Sequence, residues 1–409
     1  MLYYEWKKIW VKPGTKIAML LLAVTLAVVC WSAISEMYWV NESGEREYGL
    51  EAISKRKAAK KEWAGVLTEE VIAKVIAENT RINETKEGRS MDVQESNIAY
   101  GWKQGFEDIR YMLIYSFCKF QESDYYKPDS LVPMDASAFY ENRVFHLREW
   151  MADKEQEWQL TDDERAFLIE RYEALPTPFP YDYADGYKQL FQYSASIVMV
   201  MALILGFVVA GIFSGEFSTK ADAIFYSSYH GRDKAVAAKL GAGIFFVTIV
   251  YFVTMFLYTF VIFVVLGADG AGLPIQTNRY GWKSFYLLTN FQEYLLILCG
   301  GYIGTLFCLL LTMAVSAKTK STALAAMVPF IVIFLRSFIN AGSSDLVKEL
   351  VGLLPDRLLD IGNEVRYFDL YQIGGKVVGA INIIFPLYIV LSVILCPLVY
   401  RMYRTLEDS

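Results

Sequence analysis

The sequence predicts an all-α polytopic membrane protein: six transmembrane helices, with a large and mainly helical extracellular domain between the first two. Three observations carry this. Six stretches are long and apolar enough to cross a bilayer: Ile17–Ile34, Tyr193–Phe213, Leu240–Leu266, Tyr294–Ser316, Thr322–Ile339 and Val377–Tyr400. A span needs roughly 20 apolar residues, about 30 Å of helix. None of the six has Asp, Glu, Lys or Arg in its middle, and Arg336 lies within a turn of the end of the fifth. Buried helices of soluble proteins rarely run so far without a charged face. The second observation is the placement of basic residues, and the third is the amphipathic patterning of the region between the first two spans.

Lys7, Lys8, Lys12 and Lys16 precede the first span. With that end in the cytoplasm, six spans also bring inside the segment 214–239, then Lys318 and Lys320, and finally Arg401 and Arg404. The remaining charges, assigned to the other face, are predominantly acidic. Basic residues near span ends favour the cytoplasmic side, so both termini are expected there, in a multi-pass protein of a cell membrane. The first apolar run exceeds a secretory h-region, and no small-x-small cleavage pattern follows it, so residues 1–34 read as cytoplasmic N-terminus and uncleaved anchor.

Residues 35–189 form the expected extracellular domain. Glu51–Ala64 is rich in Ala, Lys and Glu and reads as a helix, open to being continuous with the first span. Thr68 suits the N-cap of a helix through Ala77. Ile98, Trp102, Phe106, Ile109, Leu113 and Phe117 recur at helical spacing between Val93 and Phe120. Ala136–Trp158 reads as a further amphipathic helix, and Thr161 to Glu164 has capping-box spacing. Three alternating prolines, Pro176, Pro178 and Pro180, demand an extended return to the membrane. Tyr181, Tyr183, Tyr187, Phe191 and Tyr193 then read as an interfacial belt or, less simply, an aromatic binding patch.

Residues 190–409 hold the other five spans, with extracellular loops at 267–293 and 340–376. The second of these loops has room for a short re-entrant or surface helix around Leu353 to Arg357. Gly206, Gly211 and Gly215, with Ala210 and Ser214, make small-x-x-x-small pairs along the second span; Gly375 and Gly379 make another at the sixth. Such pairs let backbones approach closely, and fit either packing within the chain or a subunit interface.

Chemical motifs are few. The two histidines, His146 and His230, fall on opposite sides of the membrane, and there is no His-x-x-x-His or Cys-x-x-Cys spacing for zinc. Four of the five cysteines lie in spans and Cys118 is alone, which argues against disulfides. No Gly-x-x-x-x-Gly-Lys-Ser/Thr exists, so no nucleotide site of the P-loop kind. Charge-free spans make proton or ion coupling a poor fit.

The segment from Ser214 to Lys239 stands out, since a turn between spans needs only a few residues. It carries Glu216, Arg232, Lys234 and Lys239 around apolar Ile224, Phe225 and Tyr226. This composition suits docking to a partner, or a helix lying in the headgroup layer. One anchor, a large outer domain, five more spans and Gly-Glu-Phe (215–217), Gly-Arg-Asp-Lys (231–234) and Ala-Ala-Lys-Leu (237–240) together resemble the permease subunit of ABC-2-type (type V) ATP-binding-cassette exporters of Gram-positive bacteria. Leu-Pro-Ile-Gln at 273–276 is similar to relatives of that group; Ser218-Thr219-Lys220 and Tyr229-His230-Gly231 depart from it.

The resemblance implies a coupling helix within 214–239 that docks on P-loop ATPase subunits in trans. ATP and Mg would be bound there, with no cofactor on this chain. It implies a second permease copy or a homologous permease as partner, the bilayer as surroundings, and no nucleic acid. The cargo expected is hydrophobic or amphipathic, such as an antimicrobial peptide. Sodium extrusion, or a membrane-anchored sensor or scaffold without transport, are the alternatives.

Overall fold

The computed structural model describes residues 1–153, 160–218, 220, 231–339 and 345–404. The backbone is mostly helical, and five helices are long and apolar enough to cross a membrane. They are α2 (Pro13–Ser35), α9 (Asp185–Ser218), α10 (Val236–Leu266), α11 (Asn290–Thr319) and α17 (Ile381–Arg404). At 1.5 Å per residue even the 23 residues of α2 reach roughly 35 Å. A preceding helix, α1 (Leu2–Val11), folds back against α10.

The stretch expected as a fifth span, Thr322–Ile339, is instead two helices: α12 (Thr322–Ala326) and the eleven-residue α13 (Val328–Phe338). Pro329 explains the break. It has no N–H to give, and its ring crowds the carbonyl four residues back. Alone, α13 is about 16 Å long, short of a bilayer core. The expected start of the sixth span also differs. Val377 and Val378 belong to strand β6 (Lys376–Gly379), which pairs with β5 (Leu370–Ile373). Gly374 and Gly375 both have positive φ (59° and 77°) and make the two-residue turn between these strands. Gly375 thus serves a hairpin, and α17 starts at Ile381.

The region between α2 and α9 opens with a hairpin, β1 (Tyr38–Val40) and β2 (Arg46–Tyr48), so the next helix is not continuous with α2. Six helices follow: α3 (Leu50–Lys61), α4 (Glu69–Asn83), α5 (Val93–Lys103), α6 (Glu107–Phe117), α7 (Glu141–Ala152) and α8 (Asp162–Glu173). Local chemistry accounts for their starts. Thr68 accepts a hydrogen bond from Val71 N at 3.4 Å. At α8, Thr161 Oγ1 accepts from Glu164 N while Glu164 accepts from Thr161 N. The run from Val93 to Phe117 divides at a single 3-10 turn, Gln104–Phe106. The residues 133–138 form another 3-10 turn, so α7 begins later than the expected Ala136; Trp158 lies outside the described residues. The proline-rich return ends in β4 (Pro180–Tyr181), paired with β3 (Gly65–Val66).

Parts of the two loops expected at 267–293 and 340–376 are built into this region. Trp282 is buried among Phe139 and Phe179, with ring centroids 5.1 and 5.9 Å away. Buried Arg143 donates to the carbonyls of Trp282 (3.0 Å) and Ser284 (2.8 Å) and lies over the Tyr172 ring at 3.7 Å. Phe285 and Leu370 complete a core with Leu147, Met151, Leu168 and Tyr172. After α14 (Asp345–Gly352), the short helices α15 (Asp356–Leu359) and α16 (Ile361–Glu364) press onto α11. A Cβ at Gly304 of α11 would meet Leu359 at 2.9 Å.

α11 sits at the centre of the bundle, packed on α9, α10, α12, α13 and α17. Of the three expected close-packing glycines, Gly206 meets Pro329 of α13 within the chain. A Cβ there would lie 2.1 Å from the proline Cγ. A Cβ at Gly211 or Gly215 would lie 3.8 or 3.9 Å from the Lys12 ammonium, and one at Gly211 would lie 3.6 Å from the Thr322 methyl, all ordinary contact distances. Gly206→Ala should therefore destabilise the bundle by about 1–3 kcal/mol through overpacking, whereas Gly211→Ala should cost under about 1 kcal/mol. Thermal unfolding of the two variants in detergent checks the order, and equal midpoints would refute the packing assigned to Gly206.

Candidate functional site

The expected coupling segment joins α9 to α10 in sequence. Ile224, Phe225 and Tyr226 lie outside the described residues, as does the Arg232 side chain. Lys234 is exposed on a wide helical turn, Gly231–Ala235, that leads into α10. Its neighbour Asp233 accepts from Tyr400 (3.1 Å) and pairs with Arg404 (3.2 Å) of α17.

The structure brings Glu216 and Lys239 together. The Lys239 ammonium is 2.6 Å from the Glu216 carboxylate and 3.3 Å from Glu5 of α1, and it donates to the Ile212 carbonyl at 3.3 Å. Lys8 joins them, 2.8 Å from Glu5 and 3.8 Å from Glu216. Lys12 donates to the Gly211 carbonyl at 3.3 Å. Lys239 is only 2 % exposed, so its charge has given up water and depends on these oxygens. Aromatic packing holds α1 in place. Trp10 meets Phe246 edge-on at 5.1 Å, and Trp6 lies 6.1 Å from Phe245. The two ends of the segment are thus tied to each other and to the N-terminal helix.

A second charged assembly occupies the opposite end of the long helices. Arg56 and Lys60 share a face of α3, four residues apart. Arg56 pairs with Asp185 and Glu107, both at 2.8 Å. Lys60, fully buried, pairs with Asp185 (2.6 Å) and Asp108 (2.9 Å). Asp108 also pairs with Lys188 at 2.5 Å and accepts from the Tyr181 hydroxyl at 3.1 Å. Burial alone would raise the pKa of Asp108, but the ammonium groups of Lys188 and Lys60 overcome it and hold it at about 2. Burial and the adjacent Arg56 would lower that of Lys60; its carboxylate neighbours outweigh both and keep it above the ordinary lysine value.

Beside this network lies a cavity of 380 Å³, reaching Asn278, Arg279, Tyr280, Glu293 and Arg366. Sequence reasoning named Phe191 and Ile275 of its lining but none of its charged residues. Its residues come from seven separate stretches of the chain, each charge reads in sequence as an ordinary solvated side chain, and Glu293 was placed in a loop. It belongs to the first turn of α11 and is buried. Only the Arg56–Lys60 spacing on an alanine-rich helix could have pointed there. Among the described residues no group of three or more His, Cys, Asp or Glu side chains is arranged to hold a metal ion.

No protein-family model, curated protein or solved structure matches this chain.

Two outcomes follow from these charges. Removing one partner of the Glu216–Lys239 pair should be costlier than removing both. A cycle of Glu216→Gln and Lys239→Met, read by unfolding in detergent, should give a coupling of about 1–3 kcal/mol; strict additivity would deny the interaction. The Asp108 pKa lies below the ordinary 3.8, so its stabilising contribution is present above about pH 4 and lost as pH falls toward about 2. Unfolding followed across that window should show wild type losing stability more steeply than Asp108→Asn, and parallel profiles would contradict this.

Proposed function

We propose that the chain is the membrane subunit of an ATP-driven exporter, moving a hydrophobic or amphipathic cargo such as a peptide out of the cell or its membrane. A separate P-loop ATPase supplies the energy, and a second permease copy or homologue completes the pathway. The observation that carries the reading is the Glu216–Lys239 pair with its α1 partners. A load applied to residues 217–238 would pass into α1, α9 and α10 together, because the charges at the base of the segment are shared among all three. A solvated loop that only joined two helices would need no such base.

In this reading Ile224, Phe225 and Tyr226 enter an apolar groove on the ATPase, while Arg232 and Lys234 orient the contact. Glu216 and Lys239 take a different role from the one expected of surface contacts: they brace the segment from behind. The segment and both termini face the cytoplasm, with the region between α2 and α9 outside. The test is co-purification with a co-expressed ATPase subunit, together with measurement of its stimulated hydrolysis. Phe225→Asp and Lys234→Glu should each weaken association at least tenfold in protein that still reaches the membrane. Undiminished association and stimulation would overturn the coupling role and favour a sensor or scaffold.

A further inference from the structure

The cavity beside the buried charge network holds oxygen acceptors that have no donor. Glu293 is 3 % exposed, and among the described residues no lysine or arginine forms an ion pair with it. Arg366 is the basic group whose field reaches it. Asn278 donates from Nδ2 to Asn290 Oδ1 at 2.7 Å, and Asn290 donates in turn to the Gly270 carbonyl at 2.9 Å. That chain of donors fixes the Asn278 amide, and its Oδ1 is buried without a partner. Asn278 is 8 % exposed. Asn290 and Glu293 are three residues apart on α11 and so share a face. Gln189, from α9, adds a second buried and unpartnered amide oxygen to the lining. An unmet buried acceptor is costly. Glu293, Asn278 and Gln189 together call for a group rich in N–H.

The same cavity holds cations without carboxylate partners. Arg279 lies over the rings of Tyr111 (4.2 Å) and Tyr280 (5.2 Å), and Arg366 lies over Tyr280 at 5.2 Å. Among the described residues neither forms an ion pair with Asp or Glu. Arg366 donates one N–H to Asn363 Oδ1 (3.3 Å) and Arg279 hydrogen-bonds with the Tyr115 hydroxyl; a guanidinium has five N–H donors, so each arginine keeps others for an oxyanion. The depth is also informative. Glu36 and Met37, just past the end of α2, and Gln192 and Ala195 of α9 line the same space. It therefore sits near the ends of apolar helices long enough to cross a bilayer, which is where a bilayer around them would present its phosphate esters.

We propose that this cavity binds a phosphoethanolamine zwitterion, with the primary ammonium on Glu293 and Asn278 Oδ1 and the phosphodiester on Arg279 and Arg366. A primary ammonium offers three N–H donors, which match unmet acceptors. A quaternary choline offers none and would leave them unmet, so the site discriminates between the two headgroups. Its 380 Å³ lies within the range of small-ligand sites. The headgroup can arrive on a diacyl lipid from the surrounding leaflet or free in solution. This inference is independent of the exporter reading, since it uses no residue of the 214–239 segment.

The experiment has two arms on the full chain. In detergent, glycerophosphoethanolamine and glycerophosphocholine are titrated separately by calorimetry. In nanodiscs of phosphatidylethanolamine, phosphatidylcholine or phosphatidylglycerol, retained lipid is counted by native mass spectrometry. The ethanolamine form should bind at least tenfold tighter than the choline form in one or both arms. Binding of the diacyl lipid alone assigns the source to the membrane; binding of the soluble headgroup shows that free ligand also enters. Glu293→Gln should weaken ethanolamine binding at least tenfold, and Arg279→Gln should weaken it comparably. Unfolding temperatures show whether each variant is folded, and Asn278→Ala replaces Glu293→Gln if that variant is not. Equal binding of the two headgroups, no binding in either arm, or wild-type affinity in the folded variants overturns the proposal.

Discussion

Withdrawing Lys60, Asp108, Asp185 and Lys188 from water is the most demanding thing this fold does. Each buried charge carries a desolvation penalty of several kcal/mol, and only close, multiple pairing offsets it. Here two carboxylates and two ammonium groups alternate, with Arg56 and Tyr181 closing the ends. Apolar side chains of similar volume could bury as favourably, but they would tolerate sliding. Charges do not, because a displacement of an ångström or two strands one of them. The network therefore sets how α3 and α6 stand on the first turn of α9, and through α9 it sets their relation to the whole bundle.

At the far end of α9, the charges around Glu216 solve a related problem with less burial. Lys239 is deep, but Glu216, Glu5 and Lys8 keep partial contact with water. The upper network is rigid by necessity, while the lower one can exchange partners: Lys8 already stands between two carboxylates. A single 34-residue helix thus has a fixed end and an adjustable end. That asymmetry suits a lever.

The apolar runs were legible as helices because a bilayer span is a property of composition over some twenty residues, which needs no knowledge of neighbours. Caps at Thr68 and Thr161 were legible for the same reason, since their chemistry is complete within four residues. Errors came where a local rule met another at close range. Pro329 divides an otherwise apolar run, and the Gly374–Gly375 turn claims residues hydrophobic enough to begin a span. The charged cavity left one faint trace, the Arg56–Lys60 spacing. Asp108, Asp185, Asn278, Glu293 and Arg366 carry no pattern in sequence, and pairing across a fold leaves no periodicity. Glu216 and Lys239 were singled out, but nothing in the chain said that they would meet each other.

The insertion of Trp282 has a consequence for the order in which the molecule can be completed. Residues 35–189 look like a unit that could close as soon as they are made. Yet Phe139 and Phe179 pack on Trp282, and Arg143 is buried against carbonyls of residues 282 and 284. These lie beyond α10, and the two carbonyls are 139 and 141 residues after Arg143 in the chain. Until that stretch of chain arrives, Arg143 keeps the Tyr172 carbonyl (3.3 Å) and ring but lacks two of its three carbonyl acceptors, and it faces an unfilled core. The core of the largest region is therefore completed by chain that follows α9 and α10, so the region cannot reach its full packing until both of these helices have been made.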